Sequence, residues 1–543
     1  MKQTIATILV LAGWSATLPA QTIRSITNAA SLAPAGAPHA AIAQGAQMAI
    51  LGADIGPAEP AVASAFPYPT TDGLGGVTVK VTVGGTTADA ILVSASARKV
   101  VAVVPSNVPT GTGEVTLTFD GKPVKAPVTI VATSFGVFDL SGAGTGPARL
   151  KNADGADVTF TAPARPGQQI TLQGTGLGAV TGDEAGSALT DALPAEVEIY
   201  IGGKKANVVS KARAGTAPGV DQIVFEVPEG VSGCFQAIAV LAGGRTSNFV
   251  TASVAADGPC SDPGGLTPAD FERISVQAEY RTGGVTIVRS SQTVQGFDIT
   301  GETATGSFSK IKISGTVAIQ NFGGNPSLGS CIVSYFSPID PGSLEVDVQT
   351  LDAGPALTLT GPKGAKQLEK REGVYNATLS QALPNIPGLP TLPGASGPYL
   401  DPGEYTVTGP GGADVGAFTA KITLGPPLNW TNRATVGNDG ANTIDRTKPV
   451  TFTWTGGRET ETVSILGTSL QQNPQFIATF RCLERAPVGT FTVPAWVLSA
   501  LPPSATGTLS VGTNAEPVRF EVSGVDTATL ATSSSSGRTI AIR

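Results

Sequence analysis

Val77-Thr78-Val79-Lys80-Val81-Thr82-Val83-Gly84-Gly85 decides the fold. Successive side chains on a strand point to opposite faces, so the valines line one side while Thr78, Lys80 and Thr82 line the other. One face is built for burial and the other for water. The glycine pair suits a tight hairpin turn, whose central positions favour positive φ. Val197, Ile199 and Ile201 repeat the alternation against Glu198 and Tyr200, and Gly202-Gly203 closes that strand as well. Pro105 and Pro228 end the next strand in each case, because proline cannot extend a ladder.

The text on either side of these strands is also duplicated. IAQGAQMAILGADIGPA (42–58) is matched by ARPGQQITLQGTGLGAV (164–180), with Gln44-Gly45 over Pro166-Gly167 and Gly52 over Gly174. KVVAVVPSNVPTGTGEVTLTFDGKPV (99–124) is matched by QIVFEVPEGVSGCFQAIAVLAGGRTS (222–247) in the same order. Short strands at roughly ten-residue spacing, over about 115 residues per copy, predict a sandwich of two sheets.

These residues carry a resemblance. The order of the Gly-spaced strand, the Val-x-Val-Gly-Gly hairpin, Val-Pro and Gly-Gly-x-x-Ser resembles the IPT/TIG immunoglobulin-like fold. Ile26-Thr27-Asn28-Ala29-Ala30-Ser31, followed by the Gln44–Pro57 segment, is similar to the Solibacter-type family of uncharacterised secreted proteins. The resemblance covers about residues 22–262. It implies the fold and export, and implies that Cys234 and Cys260 are paired, but it brings no activity. Units of this kind serve many roles, so fold alone selects none.

The whole chain reads as all-β, built of tandem immunoglobulin-like β-sandwiches. Its 543 residues exceed one core and predict about three to five domains. Gly (68) and Pro (41) break helices, and the recurring Val and Thr favour strands. The expected units are 1–20, 21–134, 135–262, 263–425 and 426–543. The first is a signal peptide: Lys2 supplies its positive end, Ile5 to Ala12 its apolar run, and Ala20 the cleavage site. No later stretch is apolar over the ~20 residues a membrane-spanning helix needs. A secreted or cell-surface location follows, with a stiff rod of units as the expected form.

In the second half, Thr267-Pro268 is placed to start a short helix through Ile274. Residues 382–405 are too rich in proline for ladder pairing and read as a long loop. Val450, Phe452 and Trp454 share a face, as do Phe476, Ala478, Phe480 and Cys482. Pro494 to Leu498 reads as a helical turn, and Ser533–Ser536 as part of a frayed tail. Four cysteines in an exported chain allow three pairings. Nearness in sequence favours Cys234–Cys260 and leaves Cys331–Cys482, which would tie the third unit to the fourth.

The catalytic inventory is thin, and no catalytic residue, cofactor or metal ligand is expected. His39 is the only histidine and lies in the Ala/Pro-rich APAGAPHAA, where it reads as an exposed loop residue. Ser-His-Asp, Cys-His and most zinc chemistry need more than that. Ser307 and Lys310 have an SxxK spacing, but on a strand they face opposite sides. Gly142–Gly146 reads as a turn between units. Glu369, Glu372, Asp154, Asp157 and Asp439 read as solvated or turn acids. A glycoside-acting carboxylate pair in residues 265–543 is the enzymatic alternative. Tyr335 and Tyr399 are the aromatics proposed for stacking on sugars. A net charge of −7 without a basic cluster argues against nucleic acid. The expected partner is an extracellular protein or a polysaccharide, met in a structural, adhesive or ligand-presenting role.

Overall fold

The computed structural model describes residues 21–543 except 262–266, 268, 271–272, 274–276, 295–296, 313–325, 338–346, 383–396, 441 and 474. The expected leader, half of the helix from Thr267, and most of the Pro-rich stretch lie outside the described residues.

Val77–Val83 is a strand whose four valines are at most 2% exposed. Gly84 and Gly85 take φ values of 56° and 83°, and Val83 pairs with Thr86 across their turn. This strand lies in a sheet with Ile42–Ala43, Lys122–Val131, Gly111–Phe119 and Thr86–Asp89. The facing sheet holds Thr22–Asn28, Gln47–Ala53, Lys99–Val103, Ile91–Ala95 and Ala61–Val62. Met48, Ile50, Leu92, Val115 and Leu117 fill the space between them. The expected sandwich is formed.

The second copy repeats the order of elements. Gln169–Thr175, Val197–Ile201, Asp221–Glu226 and Gly233–Ala242 stand where Gln47–Ala53, Val77–Val83, Lys99–Val103 and Gly111–Phe119 stand in the first. Even a small parallel pairing recurs: Ile42 pairs with Ile130, and Ala164 bridges to Val254. One strand differs. In the first copy Thr86–Asp89 and Ile91–Ala95 belong to separate sheets. In the second, Lys204–Arg213 runs unbroken and pairs with both Val197–Ile201 and Asp221–Glu226. A bulge between Val208 and Ser210 supplies the bend, because an unpaired extra residue increases local twist.

The C-terminal half is organised by one sheet of fifteen strands among the described residues. Its first long strand, Glu279–Val294, pairs antiparallel with Phe297–Lys312 and parallel with the last strand, Thr527–Ile542. The last strand pairs on its other side with Ser504–Asn514. The expected frayed tail is therefore a correction. Ser533 sits between Val288 and Asn514, and Ser536 between Ser291 and Val511, so the serine run is central in the sheet. Backbone pairing on both sides holds it there, whatever its polarity.

Two cores hang on this sheet. Val285, Phe308, Leu357, Tyr375, Tyr405, Val407 and Leu530 fill one. Phe452, Trp454, Phe476, Phe480, Cys482, Leu509 and Ile540 fill the other. The latter is covered by Asn429–Trp430, Val450–Thr455 and Thr490–Val493, and Ala495–Leu498 forms the expected helical turn.

Both favoured disulfides are present, Cys234–Cys260 and Cys331–Cys482. Cys331 and Cys482 are direct cross-strand partners, on Ser330–Phe336 and Gln475–Arg485. Unlike the bond between facing sheets in antibody domains, this one joins neighbours within a sheet.

The units do not string out as a rod. Ala33 and Ala37 of the first unit, and Ala237, Ala239 and Phe249 of the second, enter the same core as Cys331 and Leu498. Trp496 stacks on Tyr200 at 4.5 Å and on Phe249 at 5.8 Å between ring centroids. Apolar loop residues that an extended rod would expose are instead buried against the C-terminal half.

Candidate functional site

The residues expected to be exposed or catalytic do not converge. His39, expected in solvent, is only 2% exposed, because its Ala/Pro loop folds under the C-terminal half. Tyr399 is 4% exposed, and its hydroxyl donates to the Gly364 carbonyl at 2.7 Å. The Tyr335 hydroxyl turns inward and donates to Ala500 O at 2.5 Å. Neither tyrosine offers a platform for sugar rings. Ser307 and Lys310 stand on Phe297–Lys312, three residues apart and therefore on opposite faces.

The acids named from sequence are engaged locally. Asp154 accepts from Ala156 N, Asp157 pairs with Lys151 at 2.7 Å, and Glu369 pairs with Arg371 at 2.8 Å. Glu372 and Asp439 are exposed. Gly142–Gly146 follows Asp139, whose carboxylate accepts N–H groups of Ser141, Gly142, Ala143 and Gly144. Among the described residues, no group of three His, Cys, Asp or Glu side chains is arranged to hold a metal ion.

Buried acids in the C-terminal half are each claimed by arginine. Glu302 accepts from Arg289 at 2.8 Å, from Ser380, and from the backbone N–H groups of Tyr399 and Leu400. Burial raises its pKa, but these bonds outweigh burial and hold it below the ordinary value. Asp270 receives both terminal nitrogens of Arg519, at 2.6 and 3.0 Å, and is held well below the usual range. Glu461 accepts from Arg458 N and Nε, at 3.0 and 2.9 Å. It lines a narrow pocket with Arg289, Thr513, Thr532 and Ser534, and it is the acid among that pocket's lining residues.

The densest charged site was missed by sequence reasoning. Arg213 ends the bulged strand of the second unit and is 2% exposed. It bridges Glu184, at 2.8 Å, and Asp221, and donates to Gly178 O at 3.1 Å. Asp221 also accepts from Gly176 N and Leu177 N, both at 2.8 Å. Burial pushes the carboxyls of Glu184 and Asp221 up, the latter to about 6, against the pull of Arg213. The first unit completes the site. Ser106 donates to Glu184 at 2.8 Å, and Gly45 leaves room where a Cβ would strike the guanidinium. Beside it, Gln47 N donates to Thr175 Oγ1 and Gln47 Nε2 to Pro218 O, both at 2.8 Å. This is a lock between units, fully internal.

The outer face of the large sheet carries a row of hydroxyls, flanked by the exposed Phe336 and Ile477. Ser334, Thr479, Thr468, Thr508 and Thr539 form one cross-strand row over five neighbouring strands. Farther along the sheet, Thr282, Thr286, Thr305, Ser307, Ser309 and Thr529 line a shallow depression floored by Gly283 and Gly284. None of its lining residues is charged. Such a surface offers neutral donors and acceptors to a ligand. It is the candidate contact face.

No family model matches the chain, and no curated protein matches it in sequence. Solved structures do. Domains 5–6 of the S-layer protein SbsC are 17% identical, covering 44% of this chain and 98% of that one, with a TM-score of 0.16. The bacterial integrin-binding protein invasin is 12% identical, covering 92% of this chain and 76% of that one, with a TM-score of 0.11. The I9–I11 tandem of titin is 8% identical, covering 70% and 93%, with a TM-score of 0.12. The chain is an all-β protein of tandem immunoglobulin-like sandwiches.

Proposed function

We propose that the chain is an exported, non-enzymatic scaffold of the cell surface or extracellular matrix. In this reading units 21–134 and 135–262 are IPT/TIG-like, and 263–425 and 426–543 form a joined block. It presents a hydroxyl-bearing face to an adhesive partner. The observation that carries this is where the buried charge goes. Arg213, Glu184 and Asp221 are spent on one another within the second unit, where Ser106 of the first unit joins them, and Glu302, Asp270 and Glu461 on holding segments within the C-terminal half. Two disulfides fit an oxidising compartment. No helix among the described residues is long and apolar enough to cross a membrane.

Labelling of intact cells, combined with adhesion of a deletion strain, tests the reading. Surface label and reduced adhesion are expected; a strictly intracellular protein ends the proposal. A polysaccharide partner is the second reading, favoured by the uncharged depression around Gly284. A glycan array without signal removes it.

A further inference from the structure

The single histidine of the chain sits where three units meet. Its loop leaves the first unit at Asn28, whose Nδ2 donates to Ser134 O and Thr175 O, both at 3.2 Å. Ser134 Oγ donates to the His39 carbonyl at 3.3 Å, which ties the loop to the start of the second unit. The imidazole then packs edge-on against Tyr335 of the C-terminal half, with ring centroids 5.2 Å apart.

The hydrogen bonds fix which nitrogen carries the proton. Tyr335 gives its hydroxyl proton to Ala500 O, so the 3.4 Å contact with His39 must run from Nδ1–H to the tyrosine oxygen. Nε2 is then the bare nitrogen. It is buried and has no hydrogen-bond partner among the described residues. A second proton there would create a buried cation with an unsatisfied donor.

Among the described residues, nothing around the ring compensates such a charge. The neighbouring loop carries only Ala, Pro, Gly, Ser, Leu, Ile and Gln from Ala29 to Ala46. The titratable group against the ring is the Tyr335 hydroxyl, which burial keeps protonated. The cations on the neighbouring segments are Arg245 on Thr133 O, Arg446 on Leu501 O, and Arg481 beside Ile332 on the outer face, while the acids there, Glu484 and Asp445, are engaged by Arg485 N and by Lys448. The acid near the loop, Asp139, is taken up by the N–H groups that follow it.

We infer that His39 is an acid-operated latch: neutral, it stays under Tyr335 and closes the first unit onto the C-terminal half; protonated, it leaves, and the 29–44 loop detaches. Burial lowers its pKa from 6.5 to about 4. A depressed histidine pKa means that the closed form is fully favoured above pH 6.5 and loses ground as pH falls toward 4. The open population then rises about tenfold per unit, roughly 300-fold in all.

Two measurements on the full chain test this. Because there is one imidazole, its NMR titration reads this site alone; a midpoint well below 6.5 is expected, and a midpoint at 6.5 overturns the latch. Hydrogen exchange, corrected for intrinsic rates, should show protection of residues 33–40 falling by roughly 80-fold between pH 6.5 and 4, the part of the full change that lies between the two midpoints. Strands such as Val77–Val83 and Thr462–Gln472 should stay protected. In His39→Leu the acid-induced loss at 33–40 should vanish. Loss of protection everywhere at once, or an equally steep loss in His39→Leu, defeats the inference.

Discussion

Leu530 and Ile540 stand on one strand, yet Leu530 is buried in the core around Phe308 and Tyr405, and Ile540 in the core around Phe452 and Trp454. A single strand, Thr527–Ile542, is therefore structural material for both cores. Damage at either end is felt at the other.

Leu530→Asp should destabilise both halves of the C-terminal block together. It places a charge at a position that is 0% exposed, and the ladder transmits the loss along the strand. Thermal unfolding followed at Trp454 and at Tyr405 should fall in one shared transition. Two separated transitions would show the cores to be independent.

Arg213→Met should cost about 3–5 kcal/mol, because Glu184 and Asp221 would be left as uncompensated buried carboxylates. Gly45→Val should disturb the same site from the other unit, since any Cβ there meets the guanidinium and the backbone has a φ of 67°. Denaturant midpoints give the comparison. A change below about 0.5 kcal/mol in both variants would mean that the lock contributes nothing to stability.

Removing Cys331–Cys482 should lower stability by about 5 kcal/mol on the chain-entropy account, because the bond closes a separation of 151 residues. Cys234–Cys260, with a separation of 26, should matter less, at about 3.5 kcal/mol. Urea titration of the two Cys→Ser pairs orders them. The reverse order would place the main effect in local packing.

Acidification pulls on two buried groups with opposite sign. His39, depressed to about 4, loses its contribution as pH falls below 6.5. Asp221 is raised to about 6, so its ionised form disfavours folding above pH 3.8, and that cost is relieved as pH falls through 6. His39→Leu removes only the first effect. Its Tm should therefore rise relative to the parent between pH 6.5 and 4.5; a constant difference would contradict the signs.

The alternating strands were legible because burial follows period two wherever one face is covered. Val77–Val83 and Val450–Thr455 bury the residues their text marks, and Phe418–Leu424 buries Phe418, Ala420 and Ile422 with Leu424 partly covered. The Gly-Gly turns were legible because few residues tolerate positive φ. The serine run was not, since side-chain polarity says nothing about backbone partners supplied by distant strands. His39 was misread for a related reason: its loop is locally polar-neutral, and its burial comes from Tyr335, far away in sequence. Arg213 carries no local signal either, because its two carboxylates reach it from a loop and a neighbouring strand.

The parallel pairing of Glu279–Val294 with Thr527–Ile542 also has a temporal side. Residues 527–542 are synthesised after 279–294, so the core around Phe308 and Tyr405 waits open-edged until they arrive. Such long-range closure slows folding and leaves an unpaired strand available to wrong partners. Truncated products lacking the final strand should accordingly be the aggregating species.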